Sequence, residues 1–192
     1  MRINEIFYSI QGEGFHTGTP AVFVRFSGCN LRCAFCDTDH QPCEECTEED
    51  VCAEIAKYPA RMVVVTGGEP ALQLTASLVE KIHAMGKIVA VETNATKPLP
   101  EGVDWVTASP KQVFVGRAGT PVLHHAHEVK VIFDDTHAVS DAGILAEHYF
   151  VQPCDTGDAE RNQVIADHCV QFVKDNPKWR LSLQTHKILH IR

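Results

Sequence analysis

AVFVRFSGCNLRCAFC, residues 21–36, sets a short run of β-branched and aromatic residues directly before three closely spaced cysteines. The run 21–26 is almost continuously apolar, the pattern of a strand covered on both faces, as in a parallel sheet. Similar runs recur at 62–66, 88–92, 105–108, 129–133, 149–152 and 181–184. Helical patterns lie between several of them. Thr47-x-x-Asp50 reads as a capping box, followed by Val51, Ile55 and Tyr58 on one face. Thr75 is placed to cap a second helix, with Leu78, Val79, Ile82 and Met85 as its buried stripe and Gly86 as its stop. Thr136 starts a third pattern through Val139, Ile144 and Leu145. A fourth runs from about Asp158 to Lys174, with Val164, Ile165, Cys169, Phe172 and Val173 inward and Pro177 beyond it.

Strands alternating with helices indicate an α/β fold with mainly parallel strands. A closed eight-fold barrel needs about 250 residues, and this chain has 192. The expectation is an incomplete, open (β/α) barrel in one domain, residues 1–192. The apolar fraction is 44% and no segment is of low complexity. No apolar run approaches the ~18 residues that span a bilayer. The first residues, MRINEIFYSIQGEG, lack the basic start and apolar stretch of a signal peptide. The cytoplasm is therefore the expected compartment, with no membrane partner.

A reducing compartment changes the meaning of the eight cysteines, five of which fall between positions 29 and 46. Metal or catalysis is expected there rather than a disulfide framework. The net charge of −8, with no basic tract, makes nucleic acid a poor partner and a small molecule the better one.

Cys29-x-x-x-Cys33-x-x-Cys36 can wrap an iron–sulfur cluster in one loop and leave one iron open to a small molecule. A rival reading pairs Cys33-x-x-Cys36 with Cys43-x-x-Cys46 as a tetrahedral zinc site in an interaction module. Its separation is shorter than the common ~15–20 residues, and Cys29 is left without a role. Cys43 and Cys46 also read as loop cysteines, and Cys52 and Cys169 as small core residues. His124, His125 and His127 read as a solvated tract. Polar clusters follow the apolar runs at equivalent places: Thr66-Gly67-Gly68-Glu69-Pro70, Glu92-Thr93-Asn94, Ser109-Pro110-Lys111 and Gln152-Pro153-Cys154-Asp155. Ligands of α/β folds bind beyond the carboxyl ends of strands, so these clusters outline one site.

The ordered set QGEG (11–14), RFSGCNLRCAFCDT (25–38), TGGEP (66–70), ETN (92–94), SPK (109–111), QP (152–153) and WRLSLQTHK (179–187) covers nearly the whole chain. It resembles the 7-carboxy-7-deazaguanine synthase family of the radical S-adenosylmethionine superfamily. Another radical enzyme, such as a glycyl-radical activase, would share the cysteines but not QGEG or LSLQTHK.

The resemblance implies a radical S-adenosylmethionine barrel that converts 6-carboxy-5,6,7,8-tetrahydropterin to 7-carboxy-7-deazaguanine with loss of ammonia, on the way to queuosine. It implies a [4Fe–4S] cluster on Cys29, Cys33 and Cys36, and magnesium on the hydroxyl of Thr38. For S-adenosylmethionine it implies Phe35, Cys36, Asp37, Gly68, Ser109, Pro110, Lys111, Gln152, Pro153, Cys154 and Asp155. For the pterin it implies Ile10, Gln11, Gly12, Arg25, Thr66 and, through its main chain, Arg192. Glu13 and His186 are further candidates near the pterin and its carboxylate. The implied partners are an electron donor, flavodoxin-like or other, and a second copy of the chain in a homodimer. Ala95 departs from the glycine that many members carry after ETN, which suggests a slightly different turn.

Overall fold

The alternation of inward and outward side chains on a row of short strands determines where everything else sits. In the computed structural model, which describes residues 1–36, 38–39 and 43–192, nine strands form one sheet. In chain order the elements are β1 (Arg2–Ile10), β2 (Pro20–Phe26), β3 (Glu44–Glu45), α1 (Glu48–Ile55), β4 (Met62–Gly67), α2 (Ala76–Ala84), β5 (Ile88–Thr93), β6 (Trp105–Ala108), α3 (Gln112–Val115), β7 (His125–Phe133), β8 (Leu145–Pro153), α4 (Ala159–Asp175), β9 (Arg180–Leu181) and α5 (Thr185–Leu189). The sheet order is β3-β1-β2-β4-β5-β6-β7-β8-β9. From β2 to β9 every pairing is parallel, whereas β1 joins β2, and β3 joins β1, antiparallel. The sheet is an open, incomplete (β/α) barrel.

Successive strand side chains alternate faces. Val22, Val24 and Phe26 of β2, Val63 and Val65 of β4, and Val89 and Val91 of β5 share one core. That core also takes Val51 and Ile55 of α1 and Leu78, Val79 and Ile82 of α2. Each such side chain, fully buried, contributes about 1.5–3 kcal/mol. A second core joins Val129, Val131, Phe133 and Val151 to Ile165 and Cys169 of α4. The opposite parity of the same strands carries Phe23 and Arg25, Thr66, Glu92, Thr107, Lys130 and Ile132, and Gln152, all of which line one cavity. Arg25 pairs in register with Thr66, Glu92 with Thr107, and Ile132 with Gln152. The parity that builds the core thus also builds the site.

The helix ends follow the sequence. Thr47 accepts from the Asp50 N–H at 3.1 Å while Asp50 accepts from the Thr47 N–H at 2.9 Å, a complete capping box. Thr75 accepts from the Leu78 N–H at 3.0 Å, and Gly86 turns out of α2 at φ +73°. The expected helix from Thr136 is absent. Asp134 instead accepts from the Thr136 and His137 N–H groups, Ser140 from the Ala142 N–H, and Asp141 from the Gly143 N–H. Short polar side chains there capture the backbone donors in turns, Asp135 and Ala142 take positive φ, and Leu145 opens β8. Val164 is exposed, not inward, because it sits one residue off the Ile165–Cys169–Phe172 stripe. Ala95 takes φ +66° and is fully buried, so alanine here keeps the left-handed turn that a glycine would adopt. Among the described residues no helix is long and apolar enough to cross a membrane.

Candidate active site

The loop after β2 is held by glycines of the loop after β4. The Gly68 N–H donates to the Phe26 carbonyl and the Glu69 N–H to the Gly28 carbonyl, each at 3.0 Å. A Cβ built on Gly68 would collide with the Gly28 oxygen, so only glycine permits this approach. Glu69 is fully buried and accepts from the Thr93 hydroxyl at 2.7 Å, the Asn94 N–H at 2.7 Å and the Ala71 N–H at 3.0 Å. Burial pushes its carboxyl up, against the pull of those donors. Asn94 then reaches the loop itself, donating to Asn30 at 3.1 Å and lying 3.9 Å from the Cys29 sulfur. Three strand ends therefore fix the cysteine loop.

Cys29, Cys33 and Cys36 all face a cavity of about 770 Å³. Burial raises the thiols of Cys29 and Cys33, so metal binding there releases protons. Cys43 and Cys46 do not line this cavity. Cys43 meets the Arg2 guanidinium at 3.3 Å, and Cys46 packs against the first core. Among the described residues no three His, Cys, Asp or Glu side chains converge on a point that could hold a single metal ion, as a zinc tetrahedron requires. Cys29, Cys33 and Cys36 face one cavity and would hold a multi-iron cluster there. Cys52 packs at the edge of the first core, Cys169 is buried in the second, and Cys154 is buried and lines the cavity.

QGEG and the C-terminal LSLQTHK segment meet in space. The Gly12 carbonyl accepts from the Thr185 N–H and hydroxyl, both at 3.0 Å, and the Gly14 N–H donates to Ser182 at 3.0 Å. A Cβ on Gly12 would collide with the His186 ring. These contacts fold one wall of the cavity out of Gln11, Gly12, Glu13, Gln184 and His186. Gln11 donates to Glu92 at 3.0 Å, and Glu92 also accepts from Thr66 at 3.2 Å. Arg25 pairs with Glu5 at 2.9 Å, and the guanidinium of Arg192 reaches the other oxygen of Glu5. The Arg192 main-chain oxygen accepts from Ser9 at 2.5 Å.

Of the remaining candidates, Ile10, Phe35, Thr38, Gly68, Ser109, Lys111, Gln152, Pro153 and Asp155 also line the cavity. Phe35 packs edge-on against Phe114 of α3, with centroids 4.6 Å apart. Lys111 donates to the Ser109 carbonyl at 2.7 Å, and burial lowers its pKa to about 8. Gln152 accepts from Ser182 at 2.8 Å. Pro110 lies behind the wall, in a neighbouring crevice. Asp37 lies outside the described residues.

Two charged residues on the inner parity escaped the sequence reading, Glu5 of β1 and Lys130 of β7. The signal for Lys130 was present in HEVKVIF, where a lysine interrupts an apolar strand. For Glu5 there was none, since β1 alternates too weakly to read as a strand. The histidine tract divides: His124 and His125 are exposed, but His127 is half-buried, stacks on Trp105 at 5.0 Å and accepts from the Val106 N–H.

The family model of the radical SAM superfamily matches residues 23–116, which contain the three thiols and the glycine loop. A 7-carboxy-7-deazaguanine synthase of Bacteroides thetaiotaomicron is 50% identical over 192 residues, covering 100% of this chain and 98% of that one. A 7-carboxy-7-deazaguanine synthase of Bordetella pertussis is 40% identical, with 98% of each chain covered. The crystal structure of QueE from Escherichia coli superposes with a TM-score of 0.72 at 28% identity, over 95% of this chain and 93% of that one. Likeness over essentially the full length of its relatives shows that the chain belongs to the 7-carboxy-7-deazaguanine synthase family of the radical S-adenosylmethionine superfamily.

Proposed function

We propose that this chain is a carbon–nitrogen lyase that converts 6-carboxy-5,6,7,8-tetrahydropterin to 7-carboxy-7-deazaguanine and ammonia. The observation that carries the reading is the wall built by QGEG and the C-terminal segment, which puts carboxylate acceptors across one cavity from the cysteine loop. Substrate and product formulae differ by one ammonia, so the conversion needs no net oxidant or reductant.

Cys29, Cys33 and Cys36 would hold the [4Fe–4S] cluster. The cluster and S-adenosylmethionine together supply hydrogen-atom abstraction, chemistry that no side chain can perform. The protein's own residues bind and orient. Arg25 lies beside the cavity with a guanidinium suited to a carboxylate in a bidentate pair. Glu13 and Glu92 accept from the 2-amino and ring N–H groups of the pterin. Gly68, Ser109, Lys111 and the segment from Gln152 to Asp155 hold S-adenosylmethionine at the strand ends, with Phe35 against it. The reducing electron comes from a separate donor, flavodoxin-like or other, and the working assembly is a homodimer.

Thr38 lines the cavity two residues beyond Cys36 and offers a hard oxygen of the kind magnesium selects. Thr38→Ala should lower activity about tenfold at limiting magnesium and recover it partly at excess. An unchanged magnesium dependence would remove the assignment. The lyase reading is checked by quantifying ammonia during turnover. One ammonia per deazaguanine is expected, and product without ammonia would refute it.

A further inference from the structure

Lys130 is a charged inner-wall residue with no role in the binding scheme above. Its side chain is only 6% exposed, yet it carries an ammonium. The ammonium forms a short contact to Glu13 and lies 3.9 Å from Glu92. Burial opposes its charge, but Glu13, Glu92 and Glu128 together hold its pKa above that of an ordinary lysine. Glu13 is set by the same pair: burial would raise its carboxyl, and Lys130, with Gln184 and His186, brings it below the usual range. The groups facing this pair are Glu92 of β5, Glu128 of β7, His186 of α5 and Lys111 beyond β6.

Three carboxylates surround this one ammonium. Glu128, which accepts from the Phe15 N–H at 2.9 Å, is raised by burial to about 7 and gives up its charge most readily. Glu13 and Glu92 are the two that face the cavity. Without the ammonium, Glu13 would stand beside the Glu92 carboxylate with nothing to offset its burial, and its carboxyl would rise. A carboxyl that takes a proton changes from an acceptor to a donor, and a donor facing a ring N–H repels it.

We propose that Lys130 is a positioning residue that holds Glu13 and Glu92 as a charged pair of acceptors, so that this wall selects heterocycles with a 2-amino-4-oxo, N–H-rich edge. The assignment rests on the pterin reading of the site. Lys130 acts through the carboxylates, since its ammonium bonds Glu13 and lies beside Glu92.

The test is calorimetric titration of the anaerobically reconstituted enzyme, with S-adenosylmethionine present, by 7-carboxy-7-deazaguanine from about pH 6 to about pH 9. The wild type sets the reference profile, in which Glu128 and Lys111 also titrate. Relative to it, Lys130→Met should bind about tenfold or more weakly at the acid end and regain affinity as pH rises, because the Glu13 carboxyl, left without its cation, is protonated below a raised pKa. Lys130→Arg should restore the wild-type profile. Should Lys130→Met fail to fold, the double variant Lys130→Met/Glu13→Gln removes both charges and should bind weakly with a reduced pH dependence. Wild-type affinity with the wild-type pH profile in either methionine variant, at normal iron content, would overturn the assignment. A wild type that binds no 2-amino-4-oxo heterocycle would overturn the substrate reading, and this inference with it.

Discussion

Cys33→Ala is expected to yield a folded protein with no detectable turnover and no stably bound [4Fe–4S] cluster. The side chain belongs to no core cluster, and the Cys36 N–H that bonds the Cys33 carbonyl at 3.2 Å does not depend on it. Its loss removes one of the three thiols of the cysteine loop that face the cavity, and a cluster needs each of them. Cys29→Ala and Cys36→Ala should behave alike. Cys43→Ala should keep full iron content, because that sulfur is turned toward Arg2 and lies outside the cavity. Iron and sulfide analysis with the visible absorbance after anaerobic reconstitution reads all four. Loss of iron from Cys43→Ala would show that the ligand set is wrong.

Gly68→Ala should have the second-largest effect, and on stability as well as activity. The added methyl collides with the Gly28 carbonyl oxygen and crowds the Cys29 nitrogen, neither of which is a movable side-chain tip. Relief requires β4 and the cysteine loop to separate, which breaks the two 3.0 Å bonds that join them. Two backbone bonds and the strain together cost about 3 kcal/mol or more. The urea midpoint should fall, and iron loading should fall even where the protein remains folded. A variant with wild-type midpoint and iron content would show that the two loops do not meet as described.

Much of this arrangement was legible in the sequence because the buried parallel strands are nearly continuous in apolar character. Val63–Val65 and Val89–Val91 have no competing reading. The strand-end clusters then followed from where those runs stop. What escaped notice depends on contacts between distant segments. β1 reads as a polar N-terminus because its pairing with β2 is supplied by the fold, and α5 is too short to declare a period, while the strand expected at 181–184 forms only over Arg180–Leu181. The helix expected from Thr136 had apolar residues at suitable spacing but lost to aspartate and serine turns. Lys130 shows in the sequence only as a charge inside the apolar run HEVKVIF, and for neither it nor Glu5 does the sequence name the partner that charge meets. QGEG and LSLQTHK were legible as motifs, but their direct contact, Gly12 on Thr185 and His186, is visible only in three dimensions.

The most direct test of the account is to incubate the cluster-loaded enzyme anaerobically with S-adenosylmethionine, a low-potential reductant, magnesium and 6-carboxy-5,6,7,8-tetrahydropterin, and to identify the product by mass. We expect 7-carboxy-7-deazaguanine over many turnovers. Cleavage of S-adenosylmethionine with no deazaguanine formed would contradict it, leaving a radical site of the right family with the wrong substrate.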